Sequence, residues 1–131
     1  MSETFTAAMV QTRTKLSPDQ NLKEIGELIR EAASNGADYV QTPEMTNILA
    51  ANRDQLFKSI AEEDADKSLA AYRELAKELR IFLHIGSFAV RATPDRAQFM
   101  LETIRRIHTH HDVRNPLRDR LLQVLTRQIE P

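Results

Sequence analysis

The sequence predicts an α/β domain with a parallel β-α-β-α-β core. Three observations carry that expectation: an apolar strand-like run near the N-terminus, two amphipathic helical stripes with clear start signals, and a strand-like run directly after each helix. Phe5-Thr6-Ala7-Ala8-Met9-Val10 is rich enough in Phe, Thr and Val to read as a short buried strand ending at Gln11. In Ser17-Pro18-Asp19-Gln20, Ser17 stands at the N-cap, Pro18 at the first helical position and Gln20 three residues past the cap, which is the spacing of a capping box. Leu22, Ile25, Leu28, Ile29 and Ala32 then recur at helical spacing. Asn35-Gly36 ends the helix, because Gly accepts the left-handed conformation that follows a helix terminus.

Tyr39-Val40-Gln41-Thr42 is the second strand, stopped by Pro43, which has no N–H to give to a ladder, and Glu44 follows at once. A short helix is expected over Asp54–Ile60. The acidic run Glu62-Glu63-Asp64-Ala65-Asp66 opens a longer one with Leu69, Tyr72, Ala76 and Leu79 as its stripe and Lys77 and Arg80 at its end, the charge order that the helix dipole favours. Ile81-Phe82-Leu83-His84-Ile85-Gly86 is the third strand, apolar on both faces except for His84. Strands and helices alternating at these lengths give a parallel sheet with crossover helices, whose ligands sit beyond the carboxyl ends of the strands. Gln11, Glu44 and Ser87 are the residues delivered there.

Composition narrows the chemistry. A chain of 131 residues with 41% hydrophobic and 28% charged residues is one small domain able to bury a core without staples. It has no Cys, which excludes a disulfide framework, a thiolate zinc site and a cysteine nucleophile within these residues. The net charge of −1 and a pI near 6.4 give no general attraction to nucleic acid or to a membrane surface. The apolar runs are too short to span a bilayer, and Met1-Ser2-Glu3-Thr4 lacks the features of a signal peptide, so a cytoplasmic protein is expected. The charge is unevenly spread. Residues 1–90 hold all five lysines and carry net −4, whereas residues 91–131 have only arginines as basic residues and carry net +3.

Glu44 is the strongest candidate for chemistry. A carboxylate placed directly after a buried strand and stiffened by Pro43 has little freedom, and partial desolvation there would raise its pKa toward that of a useful general base. The structural alternatives are a cap on the following turn or a pair with a nearby Arg. Ser87 at the sheet edge needs a base to act as a nucleophile. His84, three residues earlier, faces the other side if alternation holds, and a histidine so placed is more often a satisfied core residue.

Several strings together resemble the N-terminal part of the carbon–nitrogen hydrolase (nitrilase/amidase) superfamily over residues 5–90. They are Ala8-Met9-Val10-Gln11 closing the first strand, Asn21-Leu22 and Leu28-Ile29-Arg30-Glu31-Ala32-Ala33 in the first helix, Gly36-Ala37-Asp38-Tyr39-Val40-Gln41-Thr42-Pro43-Glu44 with Met45-Thr46-Asn47, and Ile85-Gly86-Ser87. The resemblance implies part of an α-β-β-α sandwich and a Glu-Lys-Cys triad that hydrolyses amides or nitriles. Glu44 then takes the place of the glutamate that activates the thiol, the Lys stabilises the oxyanion, and the Cys forms a thioester. It implies no cofactor, and homo-oligomers as the usual assembly.

Beyond residue 90 the resemblance stops. No Lys follows Lys77 and no Cys occurs at all. Arg105-Arg106-Ile107-His108 with Asp112-Val113 only echoes the family's lysine segment, and Arg106, a wide planar fork, is no substitute for a compact ammonium. Residues 91–131 read instead as a two-helix tail that does not match the family. Asp95 would cap a helix bearing Phe99, Met100, Ile104 and Ile107; Asn115-Pro116 would start a second bearing Leu117, Leu121, Val124 and Leu125, a stripe suited to covering the sheet or to docking on a partner. His108 and His111 share a helix face and offer a weak metal-site alternative to a plain polar turn between helices. The Arg-rich tail has little aromatic interleaving and five acids mixed in, so no nucleic-acid partner is expected. The sequence therefore reads as a truncated or degenerate carbon–nitrogen hydrolase that keeps the general base, takes a small amide or nitrile only if a partner completes it, and has a non-catalytic oligomerisation module as the alternative.

Overall fold

The computed structural model describes residues 4–104. Its elements run in the order β1 (Ala7–Met9), α1 (Pro18–Ser34), β2 (Tyr39–Thr42), α2 (Arg53–Ser59), a 3₁₀ turn (Glu63–Ala65), α3 (Lys67–Leu79), β3 (Phe82–Thr93) and β4 (Arg96–Ile104). The strands form one sheet in the order β1-β2-β3-β4, with β1·β2 and β2·β3 parallel and β3·β4 antiparallel.

The helix boundaries follow from local chemistry. Ser17 caps α1, accepting from the Gln20 N–H at 3.3 Å, with Pro18 in its first turn. The Gln20 side chain does not complete the capping box; its Nε2 donates to Glu24 Oε1 at 3.0 Å. Gly36, with φ of 88°, makes the turn after Asn35. Asp66, itself buried, caps α3 by accepting from the Leu69 N–H at 2.9 Å, and the acidic run before it forms the 3₁₀ turn.

The core lies between the sheet and the two long helices. Val40 of β2 and Leu83 and Ile85 of β3 face Ile25 and Ile29 of α1 and Leu69, Tyr72, Leu75 and Ala76 of α3. Leu75 joins this face although the expected stripe omits it, while Leu28 of the expected α1 stripe stays 37% exposed. A register shift between Ile85 and Phe88 marks a β-bulge at Gly86-Ser87. The bulge offsets the two-residue alternation by one, so Phe88 and Val90 stay with Leu83 and Ile85 in the main core. Ala89 packs instead with Ile48 and Ile60 in a second small cluster.

The structure corrects the expected third strand and the start of the tail. β3 does not stop at Gly86 but continues to Thr93, turns through Pro94-Asp95 and returns as β4, so the sheet has four strands instead of three among the described residues. Asp95 is therefore a turn residue and not a helix cap: Thr93 Oγ1 donates to its carboxylate at 2.8 Å, and Arg53 donates to its carbonyl oxygen. The segment of Phe99, Met100 and Ile104 is strand, paired with β3. A helix bearing those residues would leave the second half of β3 without that partner. The second expected helix from Asn115-Pro116, the Leu117–Leu125 stripe, Arg106, and the His108 and His111 pair lie outside the described residues. Among the described residues no helix is long and apolar enough to cross a membrane.

Candidate functional site

Gln11 and Glu44 leave the carboxyl ends of β1 and β2, and the structure brings Ser87 to the same end of the sheet. Ser87 sits within the β3 bulge and not past a strand end. Its Oγ accepts the Met45 N–H at 2.8 Å, and its carbonyl accepts the Thr46 N–H at 3.0 Å. Both bonds fall on the loop that follows Glu44, so Ser87 is a clamp on that loop.

The neighbouring glycine makes the approach possible. A Cβ on Gly86 would stand 2.6 Å from the Pro43 carbonyl carbon and 2.7 Å from the carbonyl oxygens of Pro43 and Thr42. Those are backbone atoms that cannot swing aside, so β3 and the exit of β2 touch here only because residue 86 has no side chain. Past Glu44 the chain turns through Met45, a non-glycine residue at φ of 55°. Two bonds to Ser87 surround this left-handed residue, which is how such a conformation is held in place.

Buried polar side chains complete the scaffold. Thr46 Oγ1 donates to the Pro43 carbonyl at 2.8 Å and, having spent its only proton, accepts from Thr42 Oγ1 at 2.8 Å. Asn47 pairs with Ala89 as if it were a strand backbone, accepting from the Ala89 N–H at 2.9 Å and donating to the Ala89 carbonyl at 2.8 Å. Asn21 of α1 ties in the loop after β1: its Nδ2 donates to the carbonyls of Lys15 and Asn47, and its Oδ1 accepts the Lys15 N–H. Thr42, Thr46, Asn47 and Asn21 are all buried, and each polar side chain has a partner. Sequence reasoning missed all four as site residues. One signal was available, since Asn21 occupies the same face as Ile25 and Ile29 at intervals of four and is a polar residue where the stripe calls for an apolar one.

Glu44 emerges from this frame exposed, not desolvated, which corrects the expected burial. Among the described residues no cation pairs with it. Its position is thus set by its backbone neighbours and not by an ion pair. Beside it lies a cleft of about 610 Å³ between the ends of β1 and β2, lined by residues that include Gln11, Arg13, Gln41 and Pro43. No group of three potential metal ligands occurs among the described residues.

His84 and Ser87 are not assembled into a dyad. His84 Nδ1 lies 2.9 Å from the Tyr39 hydroxyl, which donates to Gln41 Oε1 at 3.3 Å and so accepts from His84. Partial burial lowers the His84 pKa from its usual 6.5 and raises that of Tyr39. Ser87 Oγ thus serves Met45 as an acceptor and His84 pairs with a tyrosine, with no hydrogen bond between the two residues.

Comparison with known proteins accounts for this arrangement. The carbon-nitrogen hydrolase family model matches residues 6–104, which runs through β4 and past the boundary expected near residue 90. The deaminated glutathione amidase of Bos taurus is 32% identical over 87 residues, covering 66% of this chain and 26% of that protein. Among solved structures, Saccharomyces cerevisiae Nit3, a member of branch 10 of the nitrilase superfamily, superposes with a TM-score of 0.66 at 19% identity, over 77% of this chain and 40% of that one. An amidase from Nesterenkonia sp. gives 0.61 at 23% identity, over 76% and 37%. At those identities the structural likeness speaks for the fold alone. The chain spans about a quarter to two fifths of the length of these relatives. With its sheet, its helices and the matched residues 6–104, this chain belongs to the carbon-nitrogen hydrolase family.

Proposed function

We propose that these 131 residues carry the general-base portion of a carbon–nitrogen hydrolase site, with Glu44 as the base, and do not by themselves complete the covalent reaction on an amide or nitrile. The observation that carries this reading is the clamp around Glu44. Gly86, Ser87, Thr46 and Asn47 fix the backbone on both sides of a carboxylate that has no structural partner of its own. Fixing an unpaired carboxylate is what general-base chemistry requires, because the base must meet its proton at hydrogen-bond distance. A thiol nucleophile is the missing element. An amidase of Nesterenkonia sp. has an active-site cysteine, and these residues contain no Cys and no Lys after Lys77. The chain is in this reading a truncated or degenerate hydrolase. Ammonia release from small ω-amides and from a nitrile should not rise above a Glu44→Ala control. Clear Glu44-dependent hydrolysis would overturn the proposal.

A second reading, a non-catalytic module that pairs with another copy of itself, rests on the sheet face turned away from α1 and α3. Met9 is 75% and Phe5 39% exposed there, with Tyr39 and Phe82 half-buried beside them. Apolar surface of that kind is stabilised by burial against a second such face. Light scattering across concentration should show association that Met9→Asp weakens; a strict monomer at all concentrations counts against it.

A further inference from the structure

We infer that residues 116–129 lie over the outer face of the sheet, the one turned away from α1 and α3, with the Leu117–Leu125 stripe against Phe5, Met9, Tyr39 and Phe82. The inference is independent of the reading of Glu44, and it takes this face away from the self-pairing of the second reading. A parallel sheet is stable with cover on both faces, and β2 is parallel to both of its neighbours. One face is packed by α1 and α3. Past the bulge the other face has its cover too, where Ala89 packs with Ile48, Ile60 and Leu56. Before the bulge it stays open, with Met9 75% and Phe5 39% exposed. The open part is continuous and apolar. Phe5 meets Tyr39, and Tyr39 meets His84, edge to face with ring centroids 6.2 Å apart. The Tyr39 hydroxyl and His84 Nδ1 already partner each other at 2.9 Å, so covering the row orphans neither. Alternation puts no acid, lysine or arginine of β1, β2 or residues 82–85 on this face, and partial burial holds His84 toward its neutral form.

The chain supplies an occupant of matching chemistry at the right place. β4 runs back along β3, and its last residue, Ile104, pairs with Leu83 beside the open half of the sheet. The 27 residues from 105 to 131 follow directly. Residues 105–115 can stretch roughly 35 Å, well beyond the roughly 15 Å that separates β4 from β1 across the sheet. From Asn115-Pro116 the sequence sets a helix of about 14 residues and about 21 Å, long enough to cover the open strands. Leu117, Leu121, Val124 and Leu125 fall on one side of it, and Arg120 and Arg127 fall off that side. A segment tethered this closely meets the face at an effective concentration on the order of millimolar, so in dilute solution it outcompetes a second copy.

The absence of Cys makes the test clean, since Gln123→Cys gives the full chain a single attachment point for a nitroxide label, off the apolar stripe. In two-dimensional NMR of the labelled protein, the amides of Met9, Tyr39 and Phe82 should lose most of their intensity relative to the reduced label. The amides of Arg30 and Glu78, exposed on the far side of the helix layer, should keep theirs. Leu121→Asp with Leu125→Asp should restore the intensity at Tyr39 and Phe82, and so should Met9→Asp from the other side of the contact. The shifts of Ile29 and Tyr72 in the core should not move in either variant, which shows that the domain stays folded. Full intensity at Met9, Tyr39 and Phe82 in the labelled wild type would overturn the inference, as would losses that survive both sets of substitutions. Mixing spin-labelled chain without ¹⁵N and ¹⁵N chain without the label should give no loss. Loss at Tyr39 and Phe82 in that mixture would also overturn the inference, because the segment would then be seated on a second copy.

Discussion

Gly86 and Ser87 are adjacent and act on the same loop in opposite ways, one by having no side chain and the other through its hydroxyl. Any side chain at residue 86 must displace the backbone of Thr42 and Pro43. Gly86→Ala should therefore cost about 2 to 3 kcal/mol in urea denaturation, in the range of overpacking a rigid site. Ser87→Ala should be milder overall but local. It removes the acceptor of the Met45 N–H, so hydrogen exchange should speed up at Met45 while Leu83 and Ile85 in the core stay protected. His84 makes a separate prediction. Its folded pKa is lowered by burial, so the unfolded chain takes up the proton more readily. The His84 contribution is then constant above about pH 6.5, where both states are neutral, and stability falls as pH drops from there through the lowered folded value. Comparison with His84→Asn in denaturation curves at several pH values should show the wild type losing ground to the variant over that window, and a pH-independent difference would contradict the assignment.

Helix starts were legible because the chemistry that makes them is local. Ser17 and Pro18 placed α1 correctly, and the acidic run announced α3, although the residue that caps it is Asp66 at the end of that run. Asp66→Ala should destabilise the domain by about 1 to 2 kcal/mol, since it frees the Leu69 N–H at a buried helix start. A loss well below 1 kcal/mol in thermal or urea unfolding would mean that the cap is redundant. The β3·β4 hairpin was not legible for the opposite reason. Its residues around Phe99 have spacing compatible with either element, and Asp95 is as good a helix cap as a turn residue. What decides is pairing with residues 83–93, and that partner is not encoded in the local pattern. The bulge at Gly86-Ser87 was hidden in the same way: alternation counted from His84 fails where an extra residue enters the strand.

At the scale of the whole molecule, one face of the sheet is packed by α1 and α3 and one end gathers the candidate site. Position after a strand pointed to Gln11, Glu44 and Ser87 from the sequence, and the three do lie at one end of the sheet. The rule gave no roles. Ser87 became a clamp, and the buried Thr42, Thr46, Asn47 and Asn21 emerged only when loops distant in the chain met. The composition had a sharper bearing on chemistry than the fold did, since a clamped, unpaired Glu44 stands in a stretch without a thiol. The most direct test of that account is intact-protein mass spectrometry after incubation with a small ω-amide or a nitrile and an acid quench. The unmodified mass is expected, since the proposed reading gives the chain a base but no nucleophile for an acyl intermediate. An acyl mass increment that disappears in Glu44→Gln would contradict it, showing that another side chain serves as nucleophile under Glu44's base.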